Sequence, residues 1–186
     1  SSDVCSSDLI TVEDLVKLGT GEIATLSGDT IQSLTRSQIE KLTTDQFKQL
    51  TANQFGAMSA SGVVALTTEQ FGLITSTQIN GMSATGIAAI ENADLVKIGT
   101  AQIAGIDPGL IASLTTTQVA NLTNDQVKKL TASQFGSLTA DGLAALTTDQ
   151  FGVITSTQIN GLSGAGIAAI ETLDLVKLGK IGRAHV

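Results

Sequence analysis

The sequence predicts an all-α solenoid of very short capped helices, one for every eight residues. Three observations carry that prediction: an eight-residue repeat that runs without a register shift from Ile10 to Lys177, a helix-starting pattern at a fixed place in each repeat, and an apolar spacing that neither a long helix nor a flat strand can bury.

Cut from Ile10 in steps of eight, the chain gives 21 octads; "LTTDQFKQ" (42–49) followed by "LTANQFGA" (50–57) is typical. Position one is Leu, Ile or Met in all 21 and position six is Ile, Leu, Val or Phe in all 21. Position two is Thr, Ser or Asp in 17 octads, and position five is Gln in 11. Self-similarity at a fixed period marks a tandem repeat. A longer period lies over it: "DLVK" closes octads at 14–17, 94–97 and 174–177, and residues 10–89 match residues 90–169 at 47 of 80 positions. The octad "ITSTQING" recurs letter for letter at 74–81 and 154–161.

Thr-x-x-Gln within each octad is a capping box. The Thr hydroxyl accepts from the amide three residues on, and the Gln side chain returns to the Thr amide. The apolar residue before Thr then stands where it can pack on the one after Gln, as a hydrophobic staple. In the octad at 42–49 these are Leu42, Thr43, Gln46 and Phe47. The single proline tests the phase, because "IDPGLIAS" places Asp107 at the cap and Pro108 at the first helical position, where proline is favoured. Gly19 and Gly99 are tolerable caps, and Glu91 and Glu171 are poor ones.

One continuous helix fails, because eight residues rotate through roughly 800° and the apolar positions advance about 80° per octad around the whole circumference. Glycines such as Gly56, Gly72, Gly136 and Gly152 weaken it further. A flat strand fails because positions one and six have opposite parity and face opposite sides. Short helices of roughly five to seven residues remain, each ending near a small residue, given that isolated helices of this length need tertiary packing. A β-solenoid with corners is the alternative, favoured by the many Thr, Ile and Val. Two buried side chains do not offset the ordering of eight residues, so a lone octad does not fold and stability grows with repeat number.

The ends differ from the rest. "DVCSSDL" (3–9) back-translates to GAC GTG TGC TCT TCC GAT CT, whose reverse complement, with one leading A, encodes the "KIGRAHV" of 180–186. One DNA segment read on opposite strands therefore accounts for both, and it resembles a sequencing-library adapter. Residues 1–9 and 180–186 are accordingly read as translated adapter flanking a genomic fragment, with the repeat array over 10–179. That removes from consideration the only cysteine, Cys5, and the only histidine, His185, as a thiol–imidazole pair or metal ligands.

The formal net charge is −7, and setting aside Asp3, Asp8, Lys180 and Arg183 leaves it unchanged. An acidic chain with scattered basic residues is a poor partner for nucleic acid or anionic lipid, and without Trp or Tyr it lacks stacking platforms. No apolar run approaches a membrane span, so no membrane insertion is expected. Asp14, Asp94 and Asp174 are the most tempting acids, but they share one phase of the eighty-residue period, cannot converge on one substrate, and are expected to be solvated at helix ends. No nucleophile–base–orienter spacing is present. "GDT" (28–30) and "IDPG" (106–109) suit helix capping better than calcium, whose repeats place acids at fixed offsets. Phe47, Phe55, Phe71, Phe135 and Phe151 occupy position six and belong to the core. "NLT" (121–123) fits a glycosylation sequon, but Thr123 is a predicted cap. No catalytic, cofactor-binding or metal residues and no cofactor are assigned.

The octads "LTRSQIEK", "LTTEQFGL" and "LTNDQVKK" resemble tandem tracts in very large bacterial surface or secreted proteins, adhesin-like or haemolysin-like polypeptides. The resemblance spans 10–179, carries no site residues, and lacks the Gly-Asp-rich nonapeptides of calcium-binding relatives. It implies an extracellular stalk or spacer, with further repeats or domains in the same polypeptide. The expected function is a non-enzymatic structural module; the rival is a binding solenoid whose regular Thr/Gln face grips a protein, a glycan or ice.

Overall fold

The computed structural model describes residues 10–170, and over them every octad through 162–169 begins a helix. Twenty helices run from α1 (Val12–Lys17) to α20 (Gly164–Ala169), each four to six residues long. Those used below are α4 (Arg36–Glu40), α5 (Thr44–Gln49), α6 (Ala52–Ala57), α7 (Ala60–Val64), α8 (Thr68–Leu73), α9 (Ser76–Gly81), α11 (Asn92–Leu95), α15 (Asn124–Lys129), α16 (Ala132–Ser137), α18 (Thr148–Phe151) and α19 (Ser156–Ile159). No strand occurs among the described residues, which removes the β-solenoid alternative. The reason is local: the box closes a helical turn around the threonine and glutamine that a strand would leave projecting to opposite faces.

The boxes form as the spacing predicts. At α5, Gln46 N donates to Thr43 Oγ1 at 3.3 Å, and Thr43 N donates to Gln46 Oε1 at 3.0 Å. At Gly19, which has no side chain to offer, the amide still donates to Glu22 Oε2 at 2.7 Å. Glu91 makes no side-chain cap bond, in keeping with its poor rank as a cap. Asp107 takes the cap position of Pro108–Ile111 with Pro108 at the first helical position, yet its side chain does not cap that helix.

Many helices end at or beside a small residue, as expected: Gly81 closes α9, Ser137 closes α16 and Gly152 caps α18. No glycine among the described residues has positive φ, so no left-handed residue terminates a helix. In helices such as α5 termination comes from position one, whose backbone turns extended, Leu50 having φ −58 and ψ 129. Others, such as α4 and α18, stop earlier, with Lys41 or Gly152 as a helical cap. The Leu50 amide donates back to Phe47 O at 3.2 Å, and the next cap, Thr51, is extended as well at φ −82 and ψ 162. Where position one is the cap, two extended residues separate successive helices. The first is held inward by its apolar side chain and the second is fixed by its capping hydroxyl. The helices are therefore slightly shorter than expected.

Two compact units divide the chain, one up to Lys97 and one from Ile98. Within each, a helix packs on the third helix after it: α5 on α8 and α6 on α9 in the first unit, α15 on α18 and α16 on α19 in the second. Positions six and one line the interior. Phe47, Phe55, Phe71, Phe135 and Phe151 are all buried, and so are Leu42, Leu50, Leu122 and Leu130. Phe47 meets Phe55 edge to face, with ring centroids 5.7 Å apart and planes at 83°, a favoured aromatic geometry.

Candidate functional site

The most regular polar feature is a ladder of glutamines. Position five is one residue before the innermost apolar side chain, so its side chain starts at the core boundary. Gln46, Gln54, Gln134 and Gln158 are all buried. Each spends its oxygen on its own cap and its nitrogen on the preceding turn of the coil. Gln46 Nε2 donates to Leu15 O at 2.8 Å and to Leu18 O at 2.9 Å. Gln54 does the same to Ile23 O and Leu26 O at 2.7 and 2.9 Å. In the second unit Gln134 reaches Ile103 O and Ile106 O at 2.8 and 2.6 Å, and Gln158 reaches Val127 O and Leu130 O at 2.7 and 2.8 Å. The acceptors lie 31 and 28 residues back, so a turn of the coil closes in between three and four octads. They are the position-six carbonyl in the last helical turn, which already accepts from the position-one amide, and the carbonyl of the extended residue after it, which otherwise needs a partner.

The sequence reading found the capping half of this arrangement and missed the other half. A signal was available. A capping box accepts Glu or Gln alike, yet position five is Gln in 11 octads and Glu only at Glu22, which is exposed. The excess of carboxamide over carboxylate shows that the nitrogen has a partner.

The threonines are committed too. Thr51, Thr75 and Thr155 each accept from the glutamine amide, and each sets its hydroxyl 3.0 to 3.3 Å from the glutamine Oε1. Thr123 Oγ1 accepts from Gln126 N at 3.1 Å, so the hydroxyl of the sequon is a cap; Asn121 is exposed and donates through Nδ2 to Thr117 O at 2.8 Å.

The ladder is interrupted where position five is Gly62, Gly86, Gly142 or Gly166, and at Asp94 and Leu110. A glutamine at 94 would reach back to the carbonyls of Val63 and Leu66; a carboxylate has no donor for them. A cleft of about 230 Å³ opens here in the first unit, lined by α4, the segment 64–69 and the start of α11. It gathers Glu40, Glu69, Glu91 and Asp94 against one guanidinium, Arg36, whose Nε lies 2.6 Å from Glu40 Oε1. Both partners of that pair are exposed, so it contributes at most about 1 kcal/mol. Asp94 is 4% exposed, which corrects the expectation of a solvated helix-end carboxylate: α8 packs against α11 and covers it. Asp14 meets that expectation. It is exposed, and Thr11 donates to it from the hydroxyl at 2.7 Å and from the amide at 3.4 Å. These bonds, the hydroxyl's first and Lys17 adding a little, hold its carboxyl below the ordinary value.

The cleft offers negative charge, and of its two lining threonines Thr67 spends its hydroxyl as the cap that accepts from Gln70 N. Among the described residues no three His, Cys, Asp or Glu side chains group to hold a metal ion. No helix among them is long and apolar enough to cross a membrane. Cys5, His185, Glu171, Asp174, the two flanks (1–9 and 180–186) and all but the first residue of the last octad lie outside the described residues.

The chain is a tandem repeat protein of short helices. Residues 87–140 match the family model of the ALTTAQ repeat. That stretch contains "LTTTQVAN", "LTNDQVKK" and "LTASQFGS", octads in which threonine and glutamine hold the cap and ladder positions just described. No curated protein matches the chain.

Proposed function

We propose that this repeat module is a non-enzymatic stalk or spacer segment of a larger bacterial surface or secreted polypeptide. The supporting observation is where the repeat's polar groups go. The glutamine carboxamides are buried and bonded at both ends, and the threonine hydroxyls are engaged in caps. The residues that make the octads alike are thus those that build the coil, while the exposed positions differ from octad to octad, as in "TDQFKQ" and "ANQFGA". A spacer needs only the first set. The extracellular setting rests on the likeness of the octads to tracts of adhesin-like and haemolysin-like proteins.

The test is substitution on the exposed face of α5. Replacing Thr44, Asp45, Lys48 and Gln49 together is expected to leave the far-UV circular dichroism spectrum and the urea midpoint nearly unchanged. A screen against glycans and ice is expected to show no uptake by either form. Saturable binding lost in the quadruple variant would replace the spacer reading with the recognition one. Reading the source DNA beyond both flanks tests the setting, with a secretion signal and further octads as the expected result.

A further inference from the structure

Both copies of "ITSTQING" end in Asn-Gly, the dipeptide in which the side-chain carboxamide is most open to attack by the following main-chain amide, because glycine places no side chain in the way. The structure explains why glycine is kept at that place. A Cβ on Gly81 would collide with the carbonyl of Ala52 in the facing helix α6, and a Cβ on Gly161 with the carbonyl of Ala132 in α16. Close backbone approach thus demands glycine after each asparagine.

The two asparagines share eight identical residues but not the same surroundings. Asn80 lies inside the six-residue α9, whereas Asn160 follows the four-residue α19 as its C-cap, with φ −66 and ψ −16. The amide of Gly161 is held by a short-range bond to Gln158 O at 3.0 Å. Around Asn80, Ile79 is fully buried and Met82 is 4% exposed; around Asn160, Ile159 and Leu162 are only half-buried. Both asparagine side chains face solvent.

We infer that Asn160 is a site of spontaneous deamidation in the folded protein and that Asn80, in the same octad, is protected. The main-chain nitrogen of Gly161 loses its proton to water and attacks Cγ of Asn160. A new N–C bond closes a five-membered imide as the Cγ–Nδ2 bond breaks, and the nitrogen leaves as ammonia with a proton from solvent. Water then opens the ring at either carbonyl, giving aspartate or isoaspartate at 160. No oxidant or enzyme is required. Attack needs the asparagine to leave the helical conformation, so the rate scales with local opening, which is easier for a cap residue in a thinly covered segment than for one within a helix. Isoaspartate lengthens the main chain by one methylene beside the contact of Gly161 with Ala132 of α16, and either product adds a negative charge there.

The test is to incubate the full chain in mildly alkaline buffer and follow aspartate and isoaspartate at each site by peptide mapping and mass spectrometry. A parallel sample is kept unfolded in denaturant. In the folded protein, product at Asn160 is expected to accumulate several-fold faster than at Asn80. In denaturant the two rates are expected to converge, because the local sequences are identical. An Asn160→Gln variant should lose the faster product and leave the slower one. Equal folded rates, faster reaction at Asn80, protection of both sites or a rate difference that persists in denaturant would each overturn the inference.

Discussion

Residues 74–81 and 154–161 are the same eight letters, yet the first forms a six-residue helix and the second a four-residue one. The octad before each behaves alike: α8 continues through Gly72 and Leu73, while α18 stops at Phe151 with Gly152 as its cap. Where these helices start is the same in both copies, because the box is made of residues within the octad. Where they stop differs, because the last turn has no comparable local device and depends on what packs over it. Helix starts in this repeat are local property, and helix ends are tertiary property.

The largest test of the comparison lies in the core. Phe47 and Phe55 pack edge to face in the first unit, but the matching residues in the second are Val127 and Phe135. Phe47→Ala is expected to remove about 3–5 kcal/mol from urea unfolding. Val127→Ala should remove less, since less volume is lost. Equal losses would mean that the aromatic pair adds nothing to the first unit.

Next come the ladder and the glycine contacts. Gln46→Glu and Gln134→Glu keep the capping oxygen and delete both donors, setting a charge against two buried carbonyls. Each is expected to cost about 1–3 kcal/mol, and more once the new carboxylate is ionised. Glu22→Gln, at the same octad position but exposed, should change little; if the three behaved alike, the ladder bonds would carry no stability. Gly81→Ala and Gly161→Ala drive a Cβ into a facing carbonyl, and each should cost about 1–3 kcal/mol. A much smaller loss at Gly161 would show that the second contact yields more easily, consistent with its shorter helix.

The smallest expected effect is at Asp14. Its folded pKa is depressed by bonds from Thr11, so its contribution is complete above the unfolded carboxylate pKa and disappears as pH falls through the folded value. An Asp14→Asn variant should therefore show a slightly flatter acid limb in a plot of stability against pH, with protection differing mainly in the first octad by hydrogen exchange. No change in slope would mean that the Thr11 bonds persist equally in the unfolded chain.

Much of the fold was legible because the octad repeats its own instructions. Thr43 and Gln46 meet through three intervening bonds of chain, so spacing alone predicts their pairing. Pro108 fixed the phase, the rotation of the apolar positions around the circumference excluded a long helix, and the parity of positions one and six excluded a flat strand. The turn of the coil was not legible. It is set by the extended angles of residues such as Leu50 and Thr51 and by carbonyls 28 to 31 residues away, and no local pattern displays either. Asp94 was misjudged for the same reason: its burial comes from the helix three octads earlier, not from its neighbours in sequence.

The fixed reach of the glutamines also governs how such a chain can lengthen. Each carboxamide must find its carbonyls at a set number of residues behind it, so inserting one residue would shift every contact that spans the insertion off its partner. Adding whole octads leaves every later spacing as it was. Length in this protein is therefore quantised, and copying a block of ten octads is a change that the bonding pattern accepts without a single compensating substitution.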